Sequence, residues 1–303
     1  MRAKRWIPLL AAAIMASALA PVAAADAPLR VLTSFLPIHL FTINVAEGVT
    51  GISVDMMLPA SLGCPHDYAL TASDMRKIAG ADIFIANGMG METFLDTVVR
   101  KANPRLPVIE TALFVPPLRA AEKEKHVGHA HQNENPHTWV SPKNAILQVR
   151  AIEKALGDAS PKNRNKFRAN ADAYVRRLES LDREYREASA KFRKRNIVTF
   201  HNSFDYMAKE YGLTIVGRIE DVPGQQPSAG EILALLRTIR EKKVPAIFAE
   251  PQNTERIIDI IAREAGIPVY RLDSVVAGQA TPTSYEDAMR HNLKILTELL
   301  CGP

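Results

Sequence analysis

The 303-residue sequence predicts an α/β protein of two small lobes, each with a mostly parallel sheet, joined by one long rigid helix. Three observations predict it. Apolar strand-like runs alternate with helical patterns twice over, once in each half, as parallel sheets with crossover helices require. Between the halves an apolar stripe runs at helical spacing with no glycine or proline to interrupt it. Once a leader is set aside, roughly 278 residues remain, more than a single core usually fills.

In the first half the strands are expected at Arg30 to Phe35, Ile52 to Leu58, Ala81 to Ala86 and Val108 to Glu110. Helices are expected near Leu40 to Glu47, Ser73 to Ala79 and Glu92 to Lys101. The second half repeats the plan with strands at Ile197 to Phe200, Leu213 to Arg218, Ala246 to Ala249 and Val269 to Leu272. Its helices fall near Phe204 to Glu210, Ala229 to Lys242, Thr254 to Glu264 and Tyr285 to Leu300.

The connecting helix is the clearest element. Ser160 as N-cap and Pro161 in the first turn mark its start, and Gly212 is the next breaker. Phe167, Ala171, Tyr174, Leu178, Leu181, Tyr185, Ala188 and Phe192 recur at spacings of four and three. At about 1.5 Å per residue the stripe spans on the order of 50 Å, the length of both lobes. A seam for a second copy would leave the same stripe, but a stripe of this kind lies equally well on the chain's own lobes, so a monomer is expected. The boundaries follow: a leader over 1–25, an N-terminal lobe over 26–158, the helix over 159–195 and a C-terminal lobe over 196–303.

Residues 1–25 read as a secretory signal peptide. Arg2, Lys4 and Arg5 precede the apolar run from Ile7 to Ala20, and small residues lead to cleavage near Ala25. The run is short for a membrane span. No cysteine stands at the cleavage point, so a lipid anchor is not expected, and the mature chain is placed in the periplasm. Losing the leader removes three of the positive charges behind the formal net charge of +5. The basic residues between Arg164 and Arg195 alternate with acids, which describes a solvated helix face and argues against a nucleic-acid partner.

Four segments present a metal ligand at or near the end of a strand-like run. These are GCPHDY with His66, NPHTWVSP with His137, VTFHNSF with His201 and VYRLDSV with Asp273. Three imidazoles and one carboxylate suit zinc, and they come from both halves, so the site belongs in the cleft between lobes. His66 lies before Thr71 to Asp74, a capping-box pattern, in a strand-to-helix loop where open α/β sheets place their ligands. His137 precedes Ser141 and Pro142, a second helix start. Glu250, in IFAEPQ, reads either as an acceptor that orients a ligand histidine or as an acid at a helix start. Cys64 and Cys301 are the only cysteines. They are a possible disulfide, and Cys64 is otherwise a thiolate ligand or a buried thiol.

The same segments carry a family resemblance. PHDY with the following SD, NPHTWVSP, the long charged helix, VTFHNSFDYMAKEYGL, IFAEPQ and LDSV stand in the order found in the zinc- and manganese-specific solute-binding proteins of bacterial ABC importers, the TroA-like or ZnuA-like family. The chain resembles that family over nearly its whole mature length. The resemblance implies that His66, His137, His201 and Asp273 hold the metal, and that a membrane permease with a cytosolic ATPase receives it. Manganese-selective members tend to have a carboxylate at the His201 position, so nitrogen-rich donors here point to Zn²⁺ over Mn²⁺ or Fe²⁺. Ala69, Ala72 and Asn135 depart from the usual pattern, the last standing where aspartate is more usual before Pro136. His126, His129 and His131 occupy a loop where zinc-type members often have a longer histidine-rich insert, and are possible accessory zinc-capturing groups.

Two other classes fit parts of the pattern. A zinc hydrolase needs an open coordination position and a general base, for which Glu250 or Asp205 is available. An adhesion protein would keep a structural zinc. A set of four protein ligands favours a carrier, and no enzymatic activity is expected.

Overall fold

The computed structural model describes residues 27–61, 68–92, 95–118, 134–220, 225–253 and 256–302. In the N-terminal half, β1 (Leu29–Thr33), β2 (Ile52–Met56), β3 (Ile83–Ala86) and β4 (Val108–Glu110) form a parallel sheet in the order β2-β1-β3-β4. The crossovers carry α1 (Leu36–Val45), α2 (Ala72–Gly80) and α3 (Leu95–Ala102). The capping box is present at α2, where Thr71 accepts from the Asp74 N–H and the Asp74 carboxylate accepts from the Thr71 N–H. Helix α1 begins four residues earlier than the sequence pattern predicts. It is buried on almost every side, so it lacks the amphipathic stripe by which a helix start is read.

In the C-terminal half, β5 (Asn196–Thr199), β6 (Thr214–Arg218), β7 (Ile247–Ala249) and β8 (Val269–Arg271) form a second parallel sheet in the order β6-β5-β7-β8. Among the described residues this half has four further α-helices: α6 (Asp205–Glu210), α7 (Ala229–Glu241), α8 (Arg256–Ala265) and α9 (Ser284–Leu300).

Between the sheets lie α4 (Pro142–Ala159) and α5 (Arg164–Ser189), packed on one another. Pro142 occupies the first turn of α4 as predicted, but Ser141 makes no side-chain cap bond. The connecting helix is shorter than the stripe suggests. Pro161–Asn163 is a 3₁₀ turn, Ser160 makes no side-chain cap bond to it, and regular helix covers 26 residues, about 39 Å. Phe192 continues the stripe in sequence and is buried, yet it lies past the helix end. There the N–H groups of Arg193 and Lys194 turn to the Leu300 carbonyl, a partner distant in sequence.

The stripe is filled from within the chain. Phe167, Ala171, Tyr174, Leu178, Leu181 and Tyr185 are buried, and α5 packs on α1 from the first half and α9 from the second. Each large side chain so buried stabilises the fold by roughly 1.5–3 kcal/mol. Polar ties reinforce the joint. Tyr185 Oη donates to the Met289 carbonyl at 2.6 Å, and Arg177 Nε donates to Glu286 Oε1 at 2.8 Å while its Nη2 reaches Asn44 Oδ1 on α1. One core therefore runs from the first sheet through α5 into the second half. No helix among the described residues is long and apolar enough to cross a membrane.

Candidate metal-binding site

The carboxyl ends of β5, β7 and β8 face the segment that leads into α4, and this is where the described candidates gather. His201 lies two residues beyond β5, Glu250 directly follows β7, and Asp273 lies two residues beyond β8. His137 reaches the same place from the other half, immediately before a 3₁₀ turn, Thr138–Val140. The His137 and His201 rings stand 5.4 Å apart, edge to face.

Each side chain is held by named partners. The His137 N–H and its Nδ1 both meet Asn135 Oδ1, at 2.9 and 2.8 Å. The loop carrying it is anchored from below, because Asn87 Nδ2 donates to the Pro136 carbonyl at 2.9 Å. Asn87 is itself locked in a buried network with Gln148 and Thr138. Its N–H and that of Gly88 both donate to the buried Glu92 carboxylate. Gly88 adopts φ +85° and has no room for a Cβ, which would meet the Glu110 side chain. Burial pushes the Glu92 carboxyl up from its usual range, and the N–H groups of Gly88 and Asn87 pull it back.

His201 sits against an acid. Its Nδ1 is 3.2 Å from Glu250 Oε2, its Nε2 is 2.8 Å from Ser203 Oγ, and Ser203 Oγ donates to Glu250 Oε1 at 2.5 Å. Glu250 is 1% exposed. Its carboxylate is thus spent on His201 and Ser203, not on the start of α8.

Asp273 is fixed at its backbone by α9. Its N–H donates to Asn292 Oδ1 and its carbonyl accepts from Asn292 Nδ2, both at 2.7 Å. Its Oδ1 accepts from the Val275 N–H at 2.7 Å. Val275 holds φ +63°, a strained conformation for a β-branched residue. Burial raises the Asp273 carboxyl above its usual range and the Glu250 charge adds to the rise, while the Val275 N–H and His291 oppose it.

The two halves of the site are also tied to each other. Trp139 Nε1, two residues beyond His137, donates to the Ser274 carbonyl beside Asp273 at 2.7 Å, and Tyr285 Oη donates to the Trp139 carbonyl.

His66, Cys64, His126, His129 and His131 lie outside the described residues, and so does the proposed partner of Cys301. Among the described residues alone, no three His, Cys, Asp or Glu side chains are drawn up into a metal-holding group. What the structure brings side by side is the His137 and His201 rings with the Glu250 carboxylate against His201, while Asp273 lies near enough to feel the Glu250 charge. Sequence reasoning missed Ser203, Asn292 and Trp139. The first and third stand two residues from a ligand candidate, within the very segments that carry it, whereas Asn292 gives no signal in sequence because α9 meets Asp273 only in the fold.

Residues 31–299 match the family described as ZnuA, the zinc-uptake complex component A, periplasmic. The high-affinity zinc uptake system protein ZnuA of Bacillus subtilis (strain 168) is 30% identical over 285 residues, covering 90% of this chain and 88% of that protein. The zinc-binding lipoprotein AdcA of Streptococcus pneumoniae (strain ATCC BAA-255 / R6) is 30% identical over 284 residues. That match takes in 90% of this chain and 56% of the relative, so the chain spans about half of the AdcA length. The structure of the SBP FpvC from Pseudomonas aeruginosa in complex with Mn²⁺ superposes with a TM-score of 0.78 at 28% identity, covering 90% of this chain and 98% of that one. With the motifs in order, two parallel-sheet lobes on a long helix and a match over nearly the whole length, the chain belongs to the ZnuA family.

Proposed function

We propose that the chain captures a divalent transition metal, Zn²⁺ above others, in the periplasm and delivers it to an ABC-type permease served by a cytosolic ATPase. The observation that carries the reading is the meeting of His137 from one half with His201 from the other, 5.4 Å apart, beside the Glu250 and Asp273 carboxylates. Family membership supports it, as do the zinc-binding descriptions of the relatives.

His66, His137, His201 and Asp273 are assigned as ligands. Neutral imidazoles and the carboxylate replace the waters of the free ion, and Glu250 steadies His201 from behind. The role involves no bond-making step on a substrate. The leader-like residues 1–25 support a periplasmic address, and the stripe of α5, filled by the chain's own lobes, supports a monomer.

Thermal unfolding of chelator-stripped protein, alone and with equal small excesses of Zn²⁺ or Mn²⁺, tests this. A ligand at a hundredfold excess over Kd stabilises the native state by about 2.7 kcal/mol. A large zinc shift that is lost in His201→Ala is expected. A larger manganese shift would transfer the assignment to manganese, the ion carried by the FpvC structure. No shift with either ion would end the metal reading.

A further inference from the structure

We propose that Asn135 is a positioning residue that fixes His137 as its Nδ1–H tautomer, and that Asp205 and Arg218, from the opposite half, hold Asn135 in the orientation this needs. The inference rests on the assignment of His137 as a ligand and adds a mechanism by which the C-terminal half sets the donor state of a histidine in the other half.

Two backbone groups have roles that are not open to choice. The His137 N–H can only donate, and it meets one end of the Asn135 amide at 2.9 Å, so that end is Oδ1. The Asn202 carbonyl can only accept, and it meets the other end at 2.8 Å, so that end is Nδ2. The amide is therefore oriented by its surroundings. The same Oδ1 lies 2.8 Å from His137 Nδ1, and an acceptor at that distance requires a proton on Nδ1. The neutral imidazole then carries its lone pair on Nε2, the atom available to a cation.

The remaining contacts extend this lock across the cleft. Asn135 Nδ2 also donates to Asp205 Oδ2 at 3.2 Å, and that oxygen accepts from Arg218 Nη2 at 2.8 Å. Asp205 opens α6 and Arg218 closes β6, both in the second half. Tyr206 Oη donates to the Asn135 carbonyl at 2.9 Å, so α6 grips the residue at its main chain as well. Asn135 is 1% exposed, so water does not compete for its side chain.

The arrangement also selects asparagine over aspartate at position 135. An aspartate at 135 would set a carboxylate oxygen against both the Asn202 carbonyl and Asp205 Oδ2, three acceptors with no proton among them. With Asp205 already placed to bind Arg218, only a side chain that accepts at one end and donates at the other fits.

The test combines imidazole ¹⁵N shifts of the metal-free protein with zinc titration, on the wild type and on Asn135→Ala, Asn135→Asp, Asn135→Asp with Asp205→Asn, and His137→Ala. In the wild type His137 should show a protonated Nδ1 and an unprotonated Nε2. Asn135→Ala should give a mixture of tautomers and a zinc affinity about 10- to 100-fold lower. Asn135→Asp should weaken zinc similarly, and Asp205→Asn should recover part of the loss by supplying a donor toward residue 135. The ¹⁵N readout separates positioning from general destabilisation, since a merely loosened fold leaves the surviving native tautomer unchanged. Wild-type tautomer and affinity in Asn135→Ala, beside lost binding in His137→Ala, would overturn the inference and leave the metal reading standing. Full zinc binding in His137→Ala would overturn both.

Discussion

Trp139→Phe offers a direct measure of how firmly the two halves of the site are joined. The indole is fully buried, packs edge to face on Phe35 with centroids 4.9 Å apart, and gives its one polar hydrogen to the Ser274 carbonyl. Phenylalanine keeps an aromatic ring but cannot donate, so a buried carbonyl loses its partner at a cost of about 1–3 kcal/mol. The smaller ring also leaves a void of tens of cubic ångströms, which at roughly 24 cal/mol per Å³ adds about 1 kcal/mol. The Tyr285 bond to the residue-139 carbonyl survives, because it uses the main chain. The expected loss is therefore about 2–4 kcal/mol in denaturant unfolding of the metal-free protein. Since the broken bond links the residue after Asp273 to the loop of His137, zinc binding should weaken as well. A variant within about 0.5 kcal/mol of the parent, with unchanged zinc affinity, would refute the claim that this bond couples the ligand loops.

Leu178→Ala, at the middle of the buried α5 stripe, should cost about 2–5 kcal/mol of stability while leaving zinc affinity near that of the parent, as unfolding and titration will check. Glu250→Gln keeps the size of the side chain but removes its charge beside His201, and zinc affinity by titration should fall about 10- to 100-fold with stability little changed. Arg177→Met strips the partner from the buried Glu286 carboxylate, and a loss of about 1–3 kcal/mol is expected, less than for a fully buried pair because the arginine side chain is 41% exposed. Burial holds the His39 imidazole below its usual 6.5, with Asp55 pulling it up and Lys77 pushing it down. The unfolded chain then takes the proton more readily than the folded one, so stability is intact above about pH 6.5 and falls as the pH drops below it. His39→Gln should flatten that limb, and an unchanged slope down to about pH 5 would reject the assignment.

The fold was legible where local signals and tertiary packing agree. Val108–Glu110 is read to the residue, and Thr71 with Asp74 marks the start of α2 because the capping box is a local bond pattern. The signal failed where packing decides. Residues 36–39 belong to a helix buried on almost every side, so no periodicity betrays them. At the far end of α5 periodicity misleads in the other direction. Phe192 is apolar because it is buried, and it is buried by a turn held from α9. The sheet order is equally silent in sequence, since β5 pairs with β7 and β7 with β8 only after the crossovers are laid down.

That order explains why Glu250 was harder to read than the histidines. Along the carboxyl edge of the second sheet, β5, β7 and β8 are neighbours, so the residues that follow them stand in a row about 5 Å apart per strand. His201 and Asp273 are the outer members, and Glu250 is the middle one, in contact with His201 and close enough to Asp273 to raise its carboxyl. From sequence the three are separated by long stretches, and Glu250, followed by a helix, looks like an ordinary acid at a helix start. In the row it becomes the residue that both flanking groups feel. A cation bound as proposed would offset both acids, which ties the least conspicuous residue of the sequence to the proposed metal site.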